Sequence, residues 1–158
     1  SLPCGVTDLS ERYGGRDIAR ETYETMVAEV MDRLGAIDRR HAIAARAAEG
    51  AVQMVGTSGT VTTLAGIHMD LPRYNRALID GCRLTFDEAV GAAERLLAMS
   101  YETRCNHPCI GPDRADMVIA GTAIFDAIRR LWPVGDLRVA DRGLREGILL
   151  GLMAGRGA

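Results

Sequence analysis

The residues with the clearest chemical potential lie in a loop rich in glycine and hydroxyl side chains. The stretch VGTSGTVTTL follows a short apolar run and precedes a segment with apolar residues at helical spacing. This order predicts a strand, a tight loop and a helix. Such a loop can direct several backbone N–H groups at one anion, because the helix N-terminus carries partial positive charge and glycine allows positive φ or close backbone approach. Two interpretations stay open, a glycine turn with a helix cap or a phosphate-binding loop made by Gly56, Thr57, Ser58, Gly59 and Thr60.

Arginine supplies a second set of candidates. Arg114 lies in GPDRADMVIAG, in the first turn of a predicted helix, where a cation opposes the helix dipole. A guanidinium there could bind a phosphate group through two hydrogen bonds, and the alternative is a solvated side chain. In DRGLREG, Arg142, Arg145 and Glu146 are further candidates, although Arg145 and Glu146 could instead form salt bridges that hold the last helix on the sheet. Asp141 and Glu146 are carboxylates near the expected site, but neither is assigned as a general base.

All nineteen basic residues are Arg, and the chain contains no Lys. Arginine suits bidentate phosphate contacts, but a coding bias explains its exclusive use equally well. A P-loop nucleotide hydrolase requires a Lys in its glycine-rich loop, so that class is excluded.

The segment CNHPC places Cys105, His107 and Cys109 within five residues. A structural zinc site needs a fourth ligand at a matching distance, and the two other histidines, His41 and His68, are isolated in predicted helices. We therefore expect no metal site there, and reduced thiols.

Length and composition narrow the class of protein. At 158 residues the chain has the length of one domain, and its 47% hydrophobic and 25% charged residues are typical of a globular protein. No apolar run is long enough to span a membrane, and the net charge of −2 argues against general binding to nucleic acid or membrane surfaces. Nothing at the start resembles a secretion signal, so we expect a cytoplasmic location.

Helical periodicity dominates the chain, and strands are scarce. We expect the α/β fold class, rich in helices, with a short and truncated sheet. The better strand candidates are 52–55 and 137–140, with 1–5 as the tail of a third and 77–84 as a short extended segment. The predicted helices are 16–34, 38–49, 60–69, 85–99 (opened by a capping box), 100–104, 113–132 and 144–153.

Taken in order, four stretches resemble the Ppx/GppA family of exopolyphosphatases and guanosine pentaphosphate phosphohydrolases, part of the actin-like ATPase superfamily. They are SLPCGVTDLSERY, GTSGTVTTLAGI, DGCRLT, and GPDRADMVIAG followed by ADRGLREGILLG. The likeness runs through nearly all of the chain. It implies that residues 1–158 are the carboxyl-terminal part of the second actin-like (ribonuclease H-like) domain, with the first domain absent.

The resemblance also implies a function. The complete enzyme would release terminal phosphate from inorganic polyphosphate or guanosine pentaphosphate (pppGpp), with Mg²⁺ as cofactor and a general base in the absent first domain. This chain would line the interdomain cleft with its 56–60 loop and Arg114, and alone it would be inactive. An unpaired sheet edge at 1–5 or 52–55 would favour a homodimer.

Two other functions remain compatible with the sequence. One is a nucleotide-binding regulatory module without hydrolytic activity, which would share the glycine loop and the arginines. The other is half of an actin-like-fold kinase, although DRGLREG is more specific to the phosphatases. An upstream domain with a glycine-rich loop and a suitable Glu would favour the hydrolase.

Overall fold

Short strands and longer helices alternate along the chain in a computed structural model that describes residues 4–57 and 59–155. Within these residues the chain forms three strands and nine helices. Their bounds are α1 Val6–Tyr13, α2 Arg20–His41, α3 Ile43–Ala48, β1 Met54–Gly56, α4 Gly59–His68, α5 Arg76–Ile79, β2 Arg83–Thr85, α6 Phe86–Leu97, α7 Tyr101–Asn106, α8 Val118–Leu131, β3 Asp136–Val139 and α9 Leu144–Met153. The helix-rich α/β class predicted from the sequence is confirmed.

The three strands form one sheet in the order β1-β3-β2. Strand β1 runs parallel to β3, and β2 runs antiparallel to it. Because carboxyl ends of parallel strands meet at one edge, the loop after β1 and the turn after β3 are neighbours. The sheet thus brings residue 57 and residues 140–143 together.

Two strand predictions need correction. Cys4 and Gly5 are not in a strand, since Gly5 directly precedes helix α1, and residues 1–3 lie outside the described part. The segment 77–84 is extended only at its end, because residues 76–79 form helix α5, which the Asn75 side chain caps. The third strand is therefore β2.

The helix starts follow capping side chains where the sequence supplies them. The Thr85 hydroxyl accepts from the Glu88 N–H while the Glu88 carboxylate accepts from the Thr85 N–H, which confirms the predicted capping box of α6. Ser100 caps α7, because its hydroxyl accepts from the Thr103 N–H.

Helix α1 was not predicted, and four boundaries were wrong by four residues or more. Helix α2 begins at Arg20 instead of 16 and continues through Gly35 to His41, and α3 begins at Ile43 instead of 38. Helix α8 begins at Val118 after a run of turns, five residues later than predicted.

The core lies between helices α2, α4, α6 and α8 and one face of the sheet. Helices α2 and α8 share the largest contact between elements. Helix α4 is central, since all seven residues from Val61 to Ile67 are buried. No helix in the described residues is long and apolar enough to cross a membrane.

Candidate phosphate-binding site

The loop after β1 begins at a glycine that is required for close packing. Gly56 belongs to strand β1 and does not use a positive φ. A Cβ at this position would lie 2.8 Å from side-chain carbons of both Leu137 and Val61, so only glycine fits between strand β3 and helix α4. The Gly56 carbonyl accepts a 2.8 Å hydrogen bond from the Ala140 N–H. Close packing and the bond to β3 thus account for the glycine at this strand end.

The four residues after Gly56 occupy different environments. Thr57 is exposed, Ser58 lies outside the described residues, and Gly59 is the exposed first residue of helix α4. Thr60 turns its hydroxyl against α8, where a Cβ on Gly121 would overlap it. Of the four loop residues that the structure describes, Thr57 and Gly59 are the exposed ones.

Arg114 approaches the loop from a distant part of the sequence. It lies in the turns before α8 and is exposed, with its guanidinium carbon 6.0 Å from the ring centroid of Tyr74. Its Nη1 lies 3.6 Å from the point where a Cβ on Gly59 would stand. Arg114 and Gly59 both line a small cavity of about 160 Å³, together with Thr63 and Val118. The fold thus places a guanidinium beside the amino end of α4, and both features attract anions.

The residues of the DRGLREG stretch are spread out. Arg142 is exposed and pairs with Asp80 at 3.6 Å, while Arg145 is exposed on α9. The Glu146 carboxylate accepts a 2.9 Å hydrogen bond from the Gly143 N–H, and this bond lowers the pKa of Glu146. A Cβ on Gly143 would lie 4.0 Å from the Thr57 carbonyl oxygen, so the turn adjoins the loop. Glu146 is therefore a helix cap in this structure.

Sequence reasoning did not identify Tyr74 or Arg76 as site residues, and it did not predict the contacts that Asp141 makes with them. The Tyr74 hydroxyl donates to Asp141 Oδ1 at 2.7 Å, and Arg76 Nε donates to Asp141 Oδ2. Burial would raise the pKa of Asp141, but the hydrogen bonds from Tyr74 and Arg76, together with the charge of Arg114, hold that pKa below its usual value. Burial and the bond to Asp141 raise the pKa of Tyr74, so its hydroxyl stays protonated and donates. Asp141 directly follows a predicted strand, a signal that could have identified it.

The cysteine-rich segment lies elsewhere and lacks the geometry of a metal site. Cys109 is buried, its backbone N–H donates to His107 Nδ1 at 3.1 Å, and its sulfur packs against Gly66. Burial raises the pKa of the Cys109 thiol and lowers that of His107. No group of three or more His, Cys, Asp or Glu residues in the described part is arranged to hold a metal ion.

We expect purified protein to contain no stoichiometric zinc, because Cys105, His107 and Cys109 supply three donors at most and one of the thiols is buried and protonated. Elemental analysis measures this directly. Zinc that is present at one equivalent and disappears in the Cys105→Ser, Cys109→Ser double variant would contradict the prediction.

Comparison with known proteins gives one consistent family. The sequence model of the Ppx/GppA phosphatase family matches residues 1–155. Exopolyphosphatase 2 of Mycobacterium tuberculosis is 26% identical over 102 residues, which are 62% of this chain and 32% of that protein.

Solved structures confirm the fold. The Aquifex aeolicus member of the Ppx/GppA family has a TM-score of 0.82 at 23% identity, covering 99% of this chain and 49% of that chain. An exopolyphosphatase from Cytophaga hutchinsonii has a TM-score of 0.80 at 19% identity, with the same coverage of 99% and 49%. The predicted partial actin-like fold is therefore confirmed. The chain spans about half the length of these solved structures and about a third of the curated relative.

Proposed function

This chain belongs to the Ppx/GppA phosphatase family, and we propose that it forms one phosphate-binding wall of the cleft of a cytoplasmic phosphohydrolase. Its substrate is inorganic polyphosphate or pppGpp, whose terminal phosphate is released. The observation that carries the proposal is the position of Arg114 beside Gly59, at the amino end of a ten-residue helix. A guanidinium and a helix N-terminus at one point form a binding site for a phosphate group.

The proposed reaction is attack of water on the terminal phosphorus, with cleavage of the bond to the bridging oxygen. Such transfers depend on positioning and on neutralising charge around the transferred group. In this chain Arg114 and the backbone N–H groups at the start of α4 take that role, with the Thr57 hydroxyl as an additional donor. The base that activates water belongs to the other side of the cleft.

A divalent metal is expected for this family, and Mg²⁺ is part of the proposal for the complete enzyme. The described residues do not provide its site by themselves. Both oxygens of Asp141 already accept hydrogen bonds, and no cluster of three carboxylate, imidazole or thiol ligands is present among the described residues. We therefore derive no step through the metal in this chain.

Helix α9 supports the proposal that further protein completes the cleft. None of its ten residues is buried, and six large apolar side chains are more than half exposed, namely Leu144, Ile148, Leu149, Leu150, Leu152 and Met153. These residues are spread over roughly two thirds of the helix circumference, wider than the apolar stripe of a surface helix. A cover on one side alone would leave much of this surface in water.

Among residues 4–57 and 59–155, nothing covers the outer edge of strand β1 or the groove beside it. Because the Gly56 carbonyl bonds to β3, strand alternation turns the N–H and C=O of Val55 to the open edge. Next to this edge is a groove of about 600 Å³, lined by Phe125, Ile124 and other apolar side chains. We propose that protein corresponding to the unmatched half of the solved relatives covers this surface. Pairing of two copies through β1 remains a prediction.

The isolated 158-residue chain is expected to release phosphate from long-chain polyphosphate or pppGpp far more slowly than the roughly 1 per second typical of enzymes. The physical reason is that half a cleft leaves the attacking water unheld. The measurement is phosphate release, with the full-length Aquifex aeolicus phosphatase as the control for the assay. Release at an enzymatic rate would place the base within these residues. If a complete polypeptide carrying this chain hydrolyses neither substrate, the proposed function is wrong.

A further inference from the structure

The carboxylate of Asp141 is held in one orientation at the carboxyl end of β3. Tyr74 donates to one of its oxygens at 2.7 Å, and Arg76 Nε donates to the other. The Asp141 N–H in turn donates to Asp80 at 3.0 Å, which fixes the backbone of the same residue. The side chain is only 18% exposed. Asp141 is therefore already fully engaged with protein groups.

Tyr74 connects Asp141 to Arg114. The Tyr74 hydroxyl donates to Asp141. The guanidinium carbon of Arg114 lies 6.0 Å from the centroid of the same Tyr74 ring. This distance is the outer range of a cation–π contact. Arg114 is exposed and has a flexible side chain, so ordering it costs conformational entropy. A ring held beneath it reduces that cost before any anion binds.

Arg76 compensates the negative charge of Asp141. An unpaired carboxylate near the loop would repel a phosphate group and would also attract Arg114 away from Gly59. With Arg76 on Oδ2 and Tyr74 on Oδ1, the negative charge is compensated and the direct approach of Arg114 is blocked. The arrangement leaves the Arg114 guanidinium beside the amino end of α4.

We propose that Asp141 is a positioning residue that acts through Tyr74 to hold Arg114 in place for a phosphate group. The proposal rests on the proposed function, because it assigns the support of the same anion site. In it Asp141 and Tyr74 position Arg114, and Arg114 binds the anion.

The direction in which Asp141→Asn changes the anion affinity distinguishes this positioning role from a simple charge effect. Asp141→Asn removes a negative charge near an anion site, so the electric field alone predicts tighter anion binding. Asparagine has one acceptor oxygen for the two donors Tyr74 and Arg76, and its NH2 group faces the other donor. If Asp141 positions Tyr74, the substitution therefore loosens the ring and Arg114, and anion binding weakens. We expect a loss of about fivefold to tenfold in affinity for inorganic tripolyphosphate, as when one flexible side chain must be ordered on binding.

The experiment is calorimetric titration of the 158-residue chain with inorganic tripolyphosphate. Tyr74→Phe keeps the ring and removes its bond to Asp141, so it is expected to weaken binding by a similar factor. The Asp141→Asn, Tyr74→Phe double variant should lose no more affinity for tripolyphosphate than either single variant. In an Arg114→Ala background, Asp141→Asn should have no effect on affinity, whereas a role outside the Arg114 contact would still change it. Should Asp141→Asn fail to fold, Tyr74→Phe and its Arg114→Ala combination carry the test.

Asp136→Asn is the matched control, because Asp136 lies at the opposite end of β3, pairs with Arg83 and gives the same change in net charge. We expect its affinity for tripolyphosphate to equal that of the wild type. Unchanged or tighter binding by folded Asp141→Asn, with weaker binding by Arg114→Ala, would overturn the positioning role and leave the proposed function intact. Wild-type protein that binds no tripolyphosphate would overturn both.

Discussion

Replacing Arg104 with Met is expected to lower the free energy of unfolding by about 3 kcal/mol, since three backbone carbonyls lose the donors of one buried side chain. Arg104 is 2% exposed, and its guanidinium donates to Ala115 O at 3.1 Å, to Met99 O at 2.8 Å and to Arg16 O. Methionine fills a similar volume but donates no hydrogen bond. Removal of a buried charge is favourable, as the lowered pKa of Arg104 on burial indicates. The unpaired carbonyls outweigh that gain, because they belong to three separate segments that the side chain joins.

Thermal melting measures this effect, and a loss of that size lowers Tm by roughly 6–12 °C. Arg40→Met is the matched control, because Arg40 is exposed on α2 and the change is expected to alter stability by less than about 0.5 kcal/mol. Arg104→Lys keeps the charge but lacks the planar fork, so it should fall between the two. Equal melting of Arg104→Met and Arg40→Met would show that the carbonyl contacts contribute nothing.

Local signals in the sequence were sufficient to predict most of the helices and the helix-rich α/β class. The capping box at Thr85 and the apolar runs at 52–55 and 137–140 predicted elements that the structure contains. Tertiary contacts decided two of the wrong helix boundaries, the end of α2 and the start of α8. Gly35 costs a helix only about 1 kcal/mol, which the burial of the neighbouring Leu34 readily offsets. Arg104 binds the carbonyl of Ala115, and the turns around Ala115 delay the start of α8.

The candidate site shows the same division between local and tertiary information. The loop at 56–60 and Arg114 could be proposed from residue types, since glycine, hydroxyls and arginine have recognisable uses near phosphates. Their approach to each other could not, because it joins residues 55 positions apart through packing of α4 and α8. Tyr74 and Arg76 gave no local signal at all. Their role follows only from the return of the segment after α4 to the end of β3.

Gly59→Val, introduced into a complete Ppx/GppA polypeptide that carries this chain, is expected to lower kcat/KM roughly tenfold to hundredfold, the loss of one charge-assisted hydrogen bond of about 1.5–3 kcal/mol. The Cβ of a new side chain would stand 3.6 Å from Arg114 Nη1, and its methyl groups would occupy the space where a phosphate meets the helix N-terminus. Gly59 is exposed, so the added atoms do not enter the packed core. The measurement is phosphate release from polyphosphate and from pppGpp, with thermal melting of the same preparation.

Gly91→Val provides the matched control, because Gly91 is an exposed residue of α6 and a Cβ there would meet nothing within 4 Å. Both variants replace a helical glycine with valine, which is no worse a helix former than glycine, so neither is expected to lose stability through helix propensity. Only Gly59→Val should also lose catalytic efficiency, and the loss should affect both substrates because the phosphate group is common to them. If Gly59→Val melts like the wild type and hydrolyses both substrates at the wild-type rate, the loop is an ordinary turn. Arg114 would then have to bind substrate without it.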